Sequence, residues 1–587
     1  MELRSSVKAL NFTKKMLFDG GERALPYPSR PQKPAPQSEP CRPLERSTPQ
    51  AEGVSAAALD GMLRALSASE ETHMHGCIVI RNGRVICEAD FPPYSTKTWH
   101  VTHSMSKTLV GTAVGFLVDE GKLSPDERIC DIFPEYCTLL TGRRMRSVTI
   151  RHLLTMTSGA NFREMGALTD ANWVKAFFES DAGNEPGSSF DYNSMNSHVL
   201  AAVVCKRSGQ SLTEYLRPRL FEPLGFGSVA WETSPSGIEI GGWGLYVLLE
   251  DMAKLGLLYL NGGMWEGRQL LSAEWVRDAV RPHARNDHGE EYGYQLWPDT
   301  RHGLYLFNGM FGQYVICVPQ LCMVVAVNAG AEHFFIQSDA YEIICRFLLH
   351  ALGTSPAIDR RRLEFTLSHL ESGSAVPEMT APGFSQLLRS YVTRQMRKKP
   401  LPALPPGLAG RSYTAASNRA GVLPLILSGM NLVLTDKLKS IAFEADGDGT
   451  HAALLWHDET QTHRIPLAFD SFARFELDVH GNRFLCASRA RFTTDEDDRP
   501  VLKLAVYFLE STSVRIIKIF FCEDEHIILK LSETPDALVC MSDLQATNPA
   551  SLQINMDLFK DLDYLWYRID LMCNPVVPCR PEERTEA

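Results

Sequence analysis

The stretch His100–Leu123, HVTHSMSKTLVGTAVGFLVDEGKL, combines a polar start with a long apolar continuation. The apolar part predicts a buried helix. Two hydroxyls and an amine, those of Ser104, Ser106 and Lys107, stand at the front edge of that helix. A spacing of three residues places Ser104 and Lys107 on the same helix face, about one turn apart. The pattern therefore places two polar, potentially reactive side chains at the start of a helix that is otherwise buried.

The pair has the chemistry of an activated nucleophile. A serine hydroxyl is a poor nucleophile unless a base or a cation lies beside it. Burial lowers the pKa of a lysine amine, so Lys107 can accept the proton of Ser104. The free backbone N–H groups of a helix start also suit a developing oxyanion. The spacing alone is weak evidence, because Ser-x-x-Lys is common and a serine before an apolar run is an ordinary N-cap.

The composition is that of an ordinary globular protein with more than one domain. The chain has 587 residues, of which 44% are hydrophobic and 22% charged, and this length is too great for one core. The net charge of −11 argues against nucleic acid and against anionic membrane surfaces, so we expect neither as a partner. No run approaches the roughly 20 apolar residues that cross a bilayer. The N-terminal sequence shows no signal-peptide pattern.

The fourteen cysteines are scattered. Several lie inside apolar runs, as Cys205 and Cys345 do, where a free thiol packs like a small hydrophobic group. Without an export signal we expect no disulfide framework. There is no CxxC pair, and His73 and His75 have no third candidate ligand nearby, so we expect neither a metal nor any other cofactor. These observations favour a cytoplasmic protein.

Composition and periodicity divide the chain into five stretches. They are a Pro-rich arm (1–50), a first domain (51–353), a helical and Pro-rich linker (354–406), a β-barrel-like domain (407–545) and a tail (546–587). The first domain begins with a helical pattern in GVSAAALDGMLRALSAS, continues with a hairpin around RNGR and several helices and returns to strands, which favours one sheet with an inserted helical lobe. The later domain has short strands at about ten-residue spacing, typical of an antiparallel barrel or sandwich. It carries no catalytic constellation.

Several of these stretches, taken in order, resemble the serine β-lactamase-related hydrolases. This class C-like group includes β-lactamases, DD-peptidases, esterases and 6-aminohexanoate-dimer hydrolases, and the motif style is most similar to the last of these. The resemblance runs from HSMSKTLVGTAVGFLVDEGKL through VTIRHLLTMTSG and PGSSFDYNSMNSHVLAAVVCKRSG to NGMFGQYVICVPQLCMVVAVNAG, roughly residues 45–352. It implies an α+β fold of the β-lactamase/transpeptidase type, an antiparallel sheet flanked by helices plus an all-helical lobe. The β-rich domain is similar to the lipocalin-like barrels of some relatives.

The resemblance also implies residue roles. Ser104 would be the acyl-accepting nucleophile and Lys107 its partner. Tyr192, in Tyr-Asn-Ser, would be the general acid/base, with a pKa lowered by its neighbours. Ser194 stands where the family usually has Asn and would contact the substrate. The backbone N–H groups of Ser104 and Met310 would form the oxyanion hole.

The third family motif is altered. Phe307, Asn308 and Gly309 stand where the family has Lys-Thr-Gly or His-x-Gly, so the cation that normally helps to hold a substrate carboxylate is missing. Asn308 and Gly309 would still line the substrate, and the alternative is a plain glycine-marked strand edge. Trp243 fits a pocket wall and ordinary packing equally well. His103 fits capping or packing better than a basic role, because helix neighbours point about 100° apart.

Three functions fit these residues. The first is a metal-independent serine hydrolase, an esterase or amidase that acts through an acyl-enzyme on a small-molecule substrate. The second is a β-lactamase or DD-peptidase, disfavoured by the missing cation and by the cytoplasmic location. The third is a catalytically silent binding or scaffold protein, favoured by the altered motifs but opposed by the joint presence of Ser104, Lys107 and Tyr192. The sequence carries no signal for a particular oligomeric state.

Overall fold

The computed structural model divides the chain into two compact units. The described residues are 42–167, 170–333, 338–353, 356–373, 404–405, 407–416, 420–431, 437–446, 451–469, 471–547, 567 and 570–582. Within them, the first unit runs to residue 367 and the second from residue 368. Most of the predicted arm, much of the predicted linker and most of the predicted tail lie outside the described residues. No helix among the described residues combines the length and the apolar character needed to cross a bilayer.

A six-stranded antiparallel sheet is the centre of the first unit. The strands of this unit are β1 (Met74–Arg81), β2 (Arg84–Asp90), β3 (His100–Val101), β4 (Ala230–Trp231), β5 (Leu245–Val247), β6 (Met264–Trp265), β7 (Arg268–Gln269), β8 (Ala284–Arg285), β9 (Glu291–Tyr292), β10 (Trp297–Asp299), β11 (Leu304–Gly309), β12 (Gln313–Val318) and β13 (Met323–Ala329). The sheet order is β10-β11-β12-β13-β1-β2. The predicted hairpin is its β1–β2 pair. β1 and β13 are almost wholly buried, because helices cover both faces of the sheet.

Helices form the two outer layers and a separate lobe. They are α1 (Ala56–Ala68), α2 (Ser106–Asp119), α3 (Ile129–Ile132), α4 (Arg143–Arg146), α5 (Ile150–Leu154), α6 (Glu164–Ala167), α7 (Trp173–Glu179), α8 (Ser194–Ser208), α9 (Leu212–Leu216), α10 (Glu222–Leu224), α11 (Leu249–Leu260), α12 (Ala273–Val280), α13 (Asp339–Leu349) and α14 (Ala357–Glu371). On one face of the sheet, α11 packs so closely that a Cβ on Gly256 would meet Val315 and Val324. The neighbouring residue of β12, Tyr314, instead forms a hydrogen bond with Ser338, which lies beside α13. Since strand residues alternate between faces, α11 and α13 cover opposite sides. α5, α7 and α9 pack on α8 to form the lobe, which confirms the predicted architecture.

One disulfide corrects the expectation about the cysteines. Cys130 and Cys137 are bonded, with 5.4 Å between their Cα atoms. Cys130 lies in α3 and Cys137 in the loop that follows it, and their proximity depends on how this loop folds back. The other described cysteines are free, and most of them are buried. The predicted absence of disulfides is therefore wrong for this pair.

The second unit is a nearly closed antiparallel barrel, as predicted. Its elements are β14 (Ser412–Ala415), α15 (Leu425–Met430), β15 (Ser440–Ala445), β16 (Ala452–His457), β17 (Thr462–Leu467), β18 (Ala473–Val479), β19 (Asn482–Thr494), β20 (Pro500–Phe508), β21 (Val514–Phe521), β22 (Ile527–Thr534), α16 (Ala537–Thr547) and β23 (Val576–Pro581). The order is β17-β16-β15-β14-β23-β22-β21-β20-β19-β18. Ser488 Oγ and the Ala490 N–H, both on β19, donate to the carbonyls of Pro466 and Ala468 at 2.6 Å. These bonds join the two ends of the sheet around an apolar interior that includes Trp456.

Four cations form a row across the barrel wall. Arg491, Lys503, Lys518 and Lys530 lie directly opposite one another on β19 to β22. None of them forms an ion pair within the described part of the barrel. Burial and the charges of Arg491 and Lys518 together lower the pKa of Lys503. Like charges in direct cross-strand register destabilise a sheet, so this row costs the barrel stability.

Candidate active site

The predicted nucleophile and its partner are in direct contact. Ser104 lies in a 3₁₀ turn (His103–Met105) that leads into α2, and Lys107 lies in the first turn of α2. Lys107 Nζ donates a hydrogen bond to Ser104 Oγ at 2.8 Å. Ser106 points elsewhere, because its hydroxyl donates to the carbonyl of Gly241 at 3.3 Å. The two serines at the start of α2 therefore differ: the Ser104 hydroxyl contacts the Lys107 amine, and the Ser106 hydroxyl has a packing role.

The environment of Lys107 favours the neutral amine. The side chain is 1% exposed, and Nζ donates a second hydrogen bond to the carbonyl of Gly242 at 2.7 Å. Burial lowers the pKa of Lys107 from 10.5 to about 7, and the negative charge of Glu164 opposes part of this shift. An amine with this pKa can take a proton from Ser104 near neutral pH.

The carbonyl that holds Lys107 depends on two adjacent glycines. A Cβ on Gly242 would lie 2.8 Å from Ser194 Cβ, and one on Gly241 would lie 2.3 Å from the carbonyl oxygen of Ser197. Only glycine permits the backbone to approach α8 this closely. The sequence GGWG before β5 is the signal for this close approach, although the prediction from it concerned only Trp243.

Tyr192 lies beside this pair, immediately before α8. Lys107 Nζ is 4.9 Å from the centroid of the Tyr192 ring. Part of the Tyr192 side chain remains exposed. Burial of its hydroxyl nevertheless raises the pKa of Tyr192 above 10. The Ser104 hydroxyl opposes this shift, and the charge of Glu164 adds to it. The prediction of a lowered pKa is therefore wrong. At neutral pH Tyr192 is therefore a phenol, and Lys107 is the neighbouring group whose pKa lies near neutrality.

Strand β11 brings the altered third motif to the nucleophile. A Cβ on Gly309 would lie 2.4 Å from the carbonyl oxygen of Thr102, so the end of β11 abuts the 3₁₀ turn. Met310, with the second predicted oxyanion amide, is the next residue. β10 pairs only with Leu304 to Leu306, which leaves the outer edge of residues 307–309 without a strand partner.

His103 packs and is not a base. Its ring meets Phe311 edge to face, with centroids 5.6 Å apart. Both residues have left-handed backbone conformations, with φ of 46° at His103 and 62° at Phe311. Burial lowers the pKa of His103 to about 3, and neither ring nitrogen has a hydrogen-bond partner. The predicted packing role matches this environment.

Three other predicted residues lie in buried positions. Phe307 is fully buried against Tyr259, with ring centroids 5.5 Å apart. Asn308 is buried on β11, and its side-chain oxygen accepts no hydrogen bond. Trp243 is buried and lies 5.8 Å from Trp173 of α7 between ring centroids. This contact places the Trp243 ring in the packing of the lobe.

One acidic residue of the site escaped the sequence analysis. Glu164 of α6 accepts the backbone N–H of Ser194 through Oε1 at 2.7 Å. Its charge acts on both Lys107 and Tyr192. A lone glutamate in NFREMGAL carries no motif, so no sequence signal marked it. The hydrogen bond also shows that Ser194, a predicted substrate contact, uses its backbone N–H to bind Glu164 at the start of α8.

Comparison with known proteins identifies the fold that carries this site. Residues 59–344 match the family model described as Beta-lactamase. The chain is 25% identical over 250 residues to 6-aminohexanoate-dimer hydrolase of Paenarthrobacter ureafaciens, covering 39% of this chain and 63% of that protein. It is 28% identical over 170 residues to an esterase of Burkholderia gladioli, covering 26% and 43%. The chain thus spans less than two thirds of either relative. A solved structure, a putative 6-aminohexanoate-dimer hydrolase from Bacillus anthracis, aligns with 18% identity and a TM-score of 0.44 over 57% of this chain and 92% of that one.

Proposed function

Because residues 59–344 belong to the β-lactamase family of serine hydrolases, we propose that this protein is an esterase or amidase that cleaves a small substrate through an acyl-enzyme on Ser104, without a metal. The observation that carries the proposal is the 2.8 Å hydrogen bond from Lys107 Nζ to Ser104 Oγ. Burial lowers the pKa of this amine to about 7. A hydroxyl in contact with a buried, largely neutral amine is an activated nucleophile.

The acylation step follows from these protonation states. Ser104 Oγ attacks the substrate carbonyl carbon while its proton moves to Lys107 Nζ. The N–H groups of Ser104 and Met310 hold the oxyanion. When the tetrahedral intermediate collapses, the bond to the leaving group breaks, and the Tyr192 phenol donates the proton that the leaving group takes up. The Lys107 ammonium returns a proton to Tyr192, which restores the neutral amine for deacylation.

Deacylation uses the same groups with water in place of Ser104. Neutral Lys107 accepts a proton from the attacking water, and the oxyanion forms again beside the same two N–H groups. The acyl–Oγ bond then breaks, and Ser104 Oγ takes up the proton from the Lys107 ammonium, which restores the hydroxyl and the neutral amine. Each step starts from a phenol and an amine, which are the forms that burial favours for Tyr192 and Lys107.

The β-lactamase and DD-peptidase alternative has less support. Its substrates carry a carboxylate, and the residue in the position of the family cation is Phe307, which is fully buried against Tyr259. We therefore expect no turnover of nitrocefin. Nitrocefin hydrolysis that depends on Ser104 would favour this alternative over an esterase or amidase.

The test is covalent labelling together with ester turnover. A fluorophosphonate probe should label the wild type at Ser104, and p-nitrophenyl acetate or butyrate should be hydrolysed. Ser104→Ala should lose both, whereas Ser106→Ala is the matched control that keeps both, since Ser106 bonds only to a backbone carbonyl. Equal labelling or turnover in Ser104→Ala would overturn the assignment. Failure of the wild type to acylate with a broad panel of activated esters would favour the silent scaffold.

A further inference from the structure

Near the nucleophile lies a carboxylate, that of Glu164, for which the described residues provide no counter-ion. Glu164 uses Oε1 to accept the Ser194 N–H at 2.7 Å, and within the described part of the chain Oε2 accepts no hydrogen bond. No lysine, arginine or histidine described in the structure forms an ion pair with it. The neighbouring Arg163 is already engaged, because its guanidinium pairs with Asp191 at 2.5 Å.

The remaining groups of the cleft leave this negative charge uncompensated. Lys107 is the nearby amine, but it donates to Ser104 and Gly242 and its pKa is about 7. The position that supplies a cation in related hydrolases is the apolar Phe307, fully buried. A substrate carboxylate would therefore meet a like charge beside an amine that is largely uncharged above pH 7, whereas a substrate cation would find a partner.

The charge of Glu164 acts on Tyr192, and Tyr192 belongs to a group of four aromatic rings in mutual contact, which we call the aromatic cluster. They are Phe190, Tyr192, Tyr292 and Trp297. Trp297 lies 5.7 Å from Tyr192 and 4.8 Å from Tyr292 between ring centroids. Phe190 and Tyr192 are partly exposed, so their surfaces are available to a ligand. Aromatic faces attract cations, most strongly quaternary ammonium groups.

We propose that the site takes an ester or amide that carries an ammonium group, which binds between the Glu164 carboxylate and the aromatic cluster. This inference rests on the proposed function and names the substrate class for it. The carboxylate supplies charge, and the rings supply a face that an alkylated ammonium can cover. Glu164 adjoins Tyr192 through Ser194, so the ammonium would lie within reach of an acyl group or leaving group held at Ser104.

Charge-matched isosteres test the proposal on both sides of the scissile bond. On the acyl side we would compare p-nitrophenyl esters of 4-(trimethylammonio)butyrate, of its neutral carbon isostere 5,5-dimethylhexanoate, and of glutarate. On the leaving-group side we would compare acetylthiocholine with S-(3,3-dimethylbutyl) thioacetate. We expect kcat/KM for the cationic member to exceed the neutral one by about tenfold on at least one side, with the glutarate ester slowest.

Substitution of Glu164 assigns the effect. Glu164→Gln keeps an oxygen for the Ser194 N–H but removes the charge, so the cationic-to-neutral ratio should fall to about 2 or less. The ratio cancels any change in the reactivity of Ser104 that the two substrates share. Glu179→Gln makes the same charge change on α7, where the carboxylate pairs with Lys175, and should leave the ratio unchanged.

The outcomes separate this proposal from the proposed function. Ser104-dependent turnover with a ratio near 1 on both sides, or a ratio that Glu164→Gln does not change, overturns the cationic substrate and leaves the hydrolase intact. Turnover that persists in Ser104→Ala overturns the hydrolase assignment itself. If no ester is turned over, or if Glu164→Gln does not fold, calorimetry on the wild type decides. Choline must then bind more tightly than its isostere 3,3-dimethylbutan-1-ol, and equal or weaker binding overturns the proposal.

Discussion

We expect titration of Lys107 to control the reactivity of Ser104, and the size of this effect on reactivity can be worked out from the structure. An ordinary lysine, with a pKa of 10.5, is only about 0.1% neutral at pH 7.5. Burial lowers the pKa of Lys107 to about 7, so about three quarters of the amine is neutral at the same pH. The fraction able to accept the proton of Ser104 is therefore several hundred times larger, on the order of 10³.

The assay is the second-order rate of inactivation by a neutral fluorophosphonate between pH 5 and 9. The rate should rise about tenfold per pH unit below pH 7 and level off above it, because only the neutral amine is a base. Glu164→Gln should move the midpoint to lower pH, since the negative charge of Glu164 raises the pKa of Lys107. Lys107→Met should react far more slowly and lose this dependence. A flat profile in the wild type, or a midpoint above pH 9, would refute the reasoning.

Four further changes test the surroundings of the site and the barrel. Gly242→Val should lower ester turnover about 100-fold. A Cβ at position 242 would lie 2.8 Å from Ser194 Cβ, so the Gly242 carbonyl that accepts the hydrogen bond from Lys107 would be displaced. Unchanged kinetics would contradict this packing. Lys107→Met should greatly slow labelling yet raise the melting temperature in calorimetry, since it removes a costly buried amine; a lower melting temperature would contradict this cost in stability. Lys518→Glu should stabilise the barrel by about 0.5–1 kcal/mol in chemical denaturation at low salt, because it turns the like-charged pairs with Lys503 and Lys530 into pairs of opposite charge, and the gain should shrink in high salt. Reduction of Cys130–Cys137 should cost about 2 kcal/mol through loop entropy, seen as a lower melting temperature with dithiothreitol, and Cys130→Ser should show no such response.

Local features of the sequence predicted much of the fold and the central contact of the site. The hairpin β1–β2 follows from an Asn-Gly turn between apolar runs, and α2 and α8 follow from long apolar periodicity. The contact between Ser104 and Lys107 follows from helical spacing alone, because the two residues are one turn apart. In these cases the residues that decide the structure are neighbours in the chain.

The features that escaped prediction depend on distant parts of the chain. Gly242 matters because its segment returns to α8, and Glu164 matters because α6 reaches the start of the same helix. The raised pKa of Tyr192 comes from burial, which is a property of the folded chain and not of the motif. Cys130 and Cys137 are close in sequence, but their pairing depends on the conformation of the loop between them. Motif reasoning therefore found the reacting groups but not the groups that surround and tune them.

Two positions of one cleft bear on the choice between an enzyme and a silent scaffold. Phe307 fills the place of the substrate-binding cation with a fully buried apolar ring, so this fold readily replaces a charge that it does not need. Lys107 is equally buried, and its amine loses hydration that two hydrogen bonds only partly replace. A binding protein would gain stability from an apolar residue at position 107, as it has at position 307. Because the costly amine is present and bonded to Ser104, the site favours the proposed hydrolase over a silent scaffold.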